Sequence, residues 1–165
     1  MTQPNLYTLF LLSDNETGVL ARVTALFSAR GFGIQNITAG EINEDKHLSC
    51  IAITTEGTPS AIVQIQAQLE KIVAVRSVVN LTEAKGAVQR ELMLVRVRRE
   101  AAEHDAMIDT LNELDARQIT ADETSTSYEL TGDTRAINQY IARLNALGSV
   151  EIARSGIVGM RPAKI

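Results

Sequence analysis

One order of apolar periodicities occurs twice along the chain, and that repeat limits its fold more than any other feature. Leu6 to Leu12 is a short apolar run closed by Ser13-Asp14-Asn15-Glu16, the pattern of a buried strand. Apolar residues then recur at helical spacing, at Leu20, Val23, Leu26 and Phe27, and the stripe stops at Arg30-Gly31. Ile34 to Ile42 reads as a second strand, Asn43 to Lys46 as a hairpin loop, and His47 to Thr55 as a third strand. Ser60 is the expected N-cap of a second helix striped by Ile62, Ile65, Leu69 and Ile72, and Val75 to Leu81 is a fourth strand. The second half gives a strand at Leu92 to Val97 and a helix carrying Ile108, Leu111 and Leu114. Strands at Gln118 to Thr124 and Ser127 to Leu130 follow, then a helix carrying Ile137, Tyr140, Ile141, Leu144 and Leu147 and closed by Gly148. Val150 to Ala153 is the last strand.

The order βαββαβ, twice over, predicts an α+β fold of two ferredoxin-like units. The expected domains are residues 1–82 and 83–165, with Thr82 to Gln89 connecting them. Length alone, at 165 residues, would suggest about one domain. Two units of about 80 residues each bury a modest share of their surface, so association with another chain is expected.

Composition narrows the function. The net charge is -4, and aromatics are 4% of residues with no Trp, which argues against nucleic acid as a partner. A single cysteine, Cys50, excludes an internal disulfide and fits a reducing compartment. The first residues lack a basic segment ahead of the apolar run, and no stretch approaches the roughly 18 apolar residues of a membrane span. A cytoplasmic protein without membrane contact is expected.

Catalytic chemistry is not visible. His47 lies beside a hairpin and His104 at a helix start, and neither has the spacing of a triad or a metal site. Cys50 reads as a small buried apolar residue within a strand, and the acids of Glu41 to Asp45 as a solvated hairpin tip. Phosphate-binding loops and CxxC pairs are absent from the sequence.

The informative segment is Asp14-Asn15-Glu16-Thr17-Gly18-Val19-Leu20, between the first strand and first helix. A helix N-terminus offers unpaired N–H groups and the positive end of its dipole, so it can hold a carboxylate such as that of a free amino acid. Gly18, without a Cβ, lets a ligand approach those groups, and the Asn15 amide can meet its carboxylate or ammonium. The plainer alternative is that Asn15 or Thr17 caps the helix and Gly18 permits a tight turn. Gly31 and Gly33 likewise either permit positive φ at a helix end or, with Ile34 and Ile37, border a pocket for an aliphatic side chain. The equivalent second-half segment, Arg98 to Glu103, has no glycine, so the halves are not expected to share a ligand function.

These residues carry a resemblance. Asp14 to Val23 and Leu26 to Ile34 resemble the amino-acid-binding ACT domain of the small, regulatory subunit of acetohydroxyacid synthase, also called acetolactate synthase. Gln89 to Val95 resembles that family's start of the C-terminal domain, and Ala153-Arg154-Ser155-Gly156-Ile157-Val158-Gly159 its ending. The resemblance implies a non-catalytic subunit that binds the large catalytic subunit, raises its activity and confers feedback inhibition by a branched-chain amino acid, usually valine, in valine, leucine and isoleucine synthesis. It implies that thiamine diphosphate, magnesium and FAD belong to that partner and that this chain binds no cofactor or metal. It also implies a homodimer through the ACT domains, with the amino acid at the interface. Asn15, Gly18, Val19 and Leu20 match the glycine-bearing loop of one subunit, and Gly33 and Ile34 match the opposite wall. Gly33 stands where the family usually has Asn, and a lost amide contact is worth about 0.5–1.5 kcal/mol. Cys50 stands where Arg is common. The alternative is a stand-alone ACT-type amino-acid sensor acting on an unrelated partner.

Overall fold

The computed structural model describes residues 5–163, which divide into one unit built from the chain up to Gln89 together with Ile157 onward, and another of Arg90–Gly156. The expected break was a single one after residue 82. The fold instead parts at two places, because the chain's last segment packs with its first unit.

In the first unit β1 (Asn5–Asp14), α1 (Val19–Ala29), β2 (Ile34–Asn43), β3 (Leu48–Gly57), α2 (Pro59–Leu69) and β4 (Val75–Asn80) form an antiparallel sheet in the order β2-β3-β1-β4. Alternation along β1 sends Leu9 and Leu11 into a core with Val23, Phe27, Ile53, Ile62 and Leu69. Phe27 is fully buried, which contributes about 1.5–3 kcal/mol. The end of α1 follows from Gly31, whose φ of +72° lets the Phe32 N–H reach back to the Phe27 carbonyl at 3.0 Å while the two rings meet edge to face at 6.4 Å. α2 begins earlier than Ser60 suggested. Thr58 is the N-cap, its hydroxyl accepting from the Ala61 N–H at 3.3 Å, because Pro59 suits the first helical position.

In the second unit β5 (Val88–Arg98), α3 (His104–Glu113), β6 (Arg117–Ala121), β7 (Ser125–Gly132), α4 (Thr134–Leu147) and β8 (Glu151–Arg154) give the order β6-β7-β5-β8. Met93, Val95, Met107, Leu111, Ile137 and Leu144 fill its core. The structure is thus α+β, with the βαββαβ order in each unit. A short strand, β9 (Val158–Met160), pairs with β5 and has no counterpart in the sequence reading. Ile157 is buried and its N–H donates to Asn36 Oδ1 at 3.1 Å, while a Cβ on Gly159 would collide with Leu81.

Two polar features hold the second unit. Glu91 is 4% exposed and accepts from Arg154 Nε at 3.0 Å and from the Thr134 hydroxyl at 2.8 Å, joining β5, β8 and the start of α4. Between β6 and β7, Asp122 accepts from the Thr124 hydroxyl and N–H, both at 2.7 Å, and from the Ser125 N–H at 2.8 Å. The Thr124 hydroxyl, followed by the two N–H groups, holds the Asp122 carboxyl at a pKa of about 2.

Glu91 is buried while Arg154 is partly open to solvent, so Arg154→Ala, which takes the counter-charge from the Glu91 carboxylate, should cost about 1–3 kcal/mol in urea unfolding. Asp122 has a depressed pKa in the folded chain, so its contribution is present at neutral pH and is lost as pH falls from about 4 towards 2. Carboxyl NMR titration should find Asp122 still ionised at pH 3, and Asp122→Asn should remove that part of the acid dependence.

Candidate functional site

The candidate site forms where β1 passes the chain to α1. The Asp14 N–H donates to the Ala74 carbonyl at 2.8 Å, the Asn15 N–H to the His47 carbonyl at 2.6 Å, and Arg76 Nε to Asp14 Oδ1 at 2.6 Å. These bonds fix the loop against β4 and against the β2–β3 turn. Gly18 then takes φ +86° as the N-cap of α1. Nothing lies within 4 Å of where its Cβ would be, so the glycine is required by backbone conformation and leaves open space before the helix.

No side chain caps α1, so neither Asn15 nor Thr17 does what the plainer alternative expected. The Asn15 Oδ1 is instead occupied by the Ser49 hydroxyl, which donates to it at 2.8 Å. With its oxygen engaged, Asn15 offers its amide NH2 as donor. The Val19 N–H reaches the Glu16 carbonyl at 3.3 Å, while the N–H groups of Leu20 and Ala21, without partners inside the helix, receive no side-chain acceptor. These donors and the positive end of the α1 dipole make a corner chemically suited to an anion.

A cavity of about 260 Å³ adjoins this corner. Val19, Leu20, Ala39 and Ile51 supply its apolar lining, and Ser13, Asn15, Glu41 and Ser49 its polar one. Ser13 is fully buried, and its hydroxyl has no hydrogen-bond partner. A buried hydroxyl left so costs about 1–3 kcal/mol. Of the expected site residues, the fold brings Asn15, Val19 and Leu20 to this cavity, with Gly18 at the helix end beside them. Gly33 and Ile34 do not join it within one chain. Ile34 begins β2 and Gly33 precedes it, and Ala39, the nearest residue of the lining on that strand, is five residues beyond Ile34 and so about 17 Å away. Gly31 has positive φ, Gly33 does not, and the Gly33 carbonyl accepts from the Thr55 hydroxyl at 2.7 Å.

Ser13, Ala39, Glu41, Ser49 and Ile51 were not singled out as site residues from the sequence. Register is what aligns them: Ser13 faces Ser49 across β1 and β3, and Glu41 faces Ser49 across β2 and β3. Glu41 lies on β2, within the strand expected over Ile34 to Ile42, and is exposed as expected of Glu41 to Asp45, yet it borders the cavity. Elsewhere, Cys50 is half-buried rather than fully enclosed, with Leu12 and Gly40 as register partners. His104 Nδ1 is bonded to Asp105 at 2.9 Å. No group of three His, Cys, Asp or Glu residues among the described residues could hold a metal. A larger cleft of about 540 Å³ in the second unit runs past Arg96, Arg98, Glu103 and Glu151. Arg96 and Glu151 pair there at 3.0 Å, and no buried, unpartnered polar atom lines it, so the smaller cavity is the better ligand site.

Two family models match successive parts of the chain. Residues 9–77 match a family described as an AHAS (acetohydroxyacid synthase) small subunit-like ACT domain, and residues 90–162 match the small subunit of acetolactate synthase. The chain is 34% identical over 154 residues to a probable acetolactate synthase small subunit of Archaeoglobus fulgidus, covering 93% of this chain and 95% of that one. It is 36% identical to the acetolactate synthase small subunit of Mycobacterium leprae, covering 93% and 90% respectively. The chain belongs to the acetolactate synthase small-subunit family. The crystal structure of the small subunit from Thermotoga maritima superposes with a TM-score of 0.82 at 30% identity, covering 98% of this chain and 99% of that one. As a member of the small-subunit family, the chain is regulatory and not catalytic by itself, and it implies a large catalytic partner. No helix among the described residues is long and apolar enough to cross a membrane.

The open space around Gly18 separates strain from collision. Gly18→Ala should lower stability by about 1 kcal/mol, from left-handed backbone alone, while Gly18→Asn, which tolerates that region, should cost less. Thermal unfolding of the two variants checks the order.

Proposed function

We propose that this small subunit activates the large catalytic subunit of acetolactate synthase and makes it sensitive to feedback inhibition by a branched-chain amino acid, valine first among them. The observation that carries the reading is the uncapped N-terminus of α1 facing a cavity with an apolar wall. The ligand carboxylate sits on the first-turn N–H groups and the Asn15 amide NH2, and its aliphatic side chain lies against Val19, Leu20, Ala39 and Ile51. A cavity of about 260 Å³ suits a molecule smaller than those that fill ordinary drug-sized pockets.

In this reading the ACT domains pair as a homodimer in the cytoplasm, and Gly33 and Ile34 close the site from the partner subunit. Their distance from the cavity within one chain is consistent with that arrangement. Thiamine diphosphate, magnesium and FAD reside on the catalytic subunit, and this chain binds none of them. Inhibition follows from unequal ligand affinity for the active and inactive forms of the complex, and its extent is bounded by that difference.

Calorimetric titration with valine, leucine and isoleucine tests the site. Valine should bind, and Asn15→Ala, which removes a hydrogen bond to a charged carboxylate, should weaken it about tenfold or more. Added to the catalytic subunit, the chain should raise acetolactate formation and valine should lower it again. Gly18→Asp, which places a carboxylate at the anion corner, should abolish that inhibition and spare activation. If none of the three amino acids binds, the sensor reading is wrong.

A further inference from the structure

The proposed site contains charges on two sides that a simple carboxylic acid does not need. Three carboxylates line the cavity, on Asp14, Glu16 and Glu41. Two are already matched: Asp14 by Arg76 at 2.6 Å, and Glu16 by Arg22 at 3.5 Å. Glu41 makes no hydrogen bond or ion pair with any described residue. It stands in one cross-strand row, Glu41 on β2, Ser49 on β3 and Ser13 on β1, all bordering the cavity. Adjacent strands lie about 4.8 Å apart, so this row spans the side of the cavity formed by the sheet.

Ser49 spends its hydroxyl proton on Asn15, whereas the Ser13 hydroxyl, fully buried, has no partner. The cavity therefore presents N–H donors at the α1 terminus and, along the sheet, an unpaired carboxylate, with the enclosed, unsatisfied Ser13 hydroxyl in the wall beside it. That is the complement of a zwitterion, not of an anion.

Resting on the reading of this cavity as an amino-acid site, we infer that Glu41 and Ser13 form its ammonium subsite and make the chain select α-amino acids over 2-oxo acids of the same carbon skeleton. The two ligand classes share the carboxylate and the side chain, and differ only at the atom these residues face. An ammonium group donates to the Glu41 carboxylate and to Ser13 Oγ. A 2-oxo group has no proton to donate and no positive charge, so it leaves Glu41 unpaired and turns a carbonyl oxygen towards its carboxylate. The selection matters chemically, because a 2-oxo acid of the same skeleton is what transamination interconverts with the amino acid. A sensor that took both would report the precursor as if it were the product.

The test is calorimetric titration of the full-length chain with L-valine and with 3-methyl-2-oxobutanoate, on the wild type, Glu41→Gln and Ser13→Ala, each first shown by thermal unfolding to be folded. The wild type should prefer valine by more than about tenfold. Glu41→Gln should weaken valine about tenfold and leave the 2-oxo acid unchanged or tighter, so that the preference collapses. Ser13→Ala should act in the same direction by a few-fold. If valine binds the wild type and Glu41→Gln keeps the wild-type preference, the subsite is wrong while the amino-acid site stands. If no branched-chain amino acid binds the wild type, both are wrong.

Discussion

The positive φ of Gly18 is the constraint on which the rest of the site depends. β1 ends pinned on both sides, by the Asp14 N–H on the Ala74 carbonyl and the Asn15 N–H on the His47 carbonyl, and α1 must start within four residues. Gly18 makes that turn in the left-handed conformation, which glycine adopts at no steric cost. The geometry has a second effect. A Ser, Thr, Asp or Asn in the extended conformation at that position would have capped the helix with its own oxygen. With glycine there, the donors of α1 stay open to a ligand. The turn and the binding corner thus have one cause.

The two units share a topology but differ at the corresponding helix start. α2 and α4 are capped by Thr58 and Asp133, so their first-turn donors are used internally. α3 begins after Glu103 and carries Asp105 in its first turn, so acidic side chains of the chain itself lie at its positive end. The α1 terminus alone among the four is preceded by a left-handed glycine and borders a cavity with a buried unsatisfied hydroxyl. The second unit is instead held by Glu91 and Arg154, which lie in the two sequence segments that resemble the start and end of the family's C-terminal domain. Their pairing gives those segments a structural reason independent of ligand binding.

Much of the fold was legible because each element carries its own period. Val23 and Phe27 mark the buried face of α1, and Ile62, Ile65 and Leu69 that of α2, whatever surrounds them. What local pattern could not supply were features set by distant partners. β1 runs on to Asp14 because β3 and β4 continue to pair with it past the polar residues. Met107 belongs to the core of the second unit, where its terminal methyl also lies close to Gly148. β9 is three residues long, too short for a periodicity, and exists through its pairing with β5.

The same division runs through the site. Asn15, Gly18, Val19 and Leu20 were readable because a helix start is a local event, written in consecutive residues. Ser13, Glu41 and Ser49 are separated by up to 36 positions, and no spacing in the sequence links them. Strand register, decided by the packing of the sheet beneath α1 and α2, sets them in one row. Consecutive residues were enough to show a helix start with open donors and to name the residues that frame it. What faces that corner came from the folded sheet, because cross-strand neighbours are chosen by burial and hydrogen bonding over the whole sheet rather than by proximity along the chain.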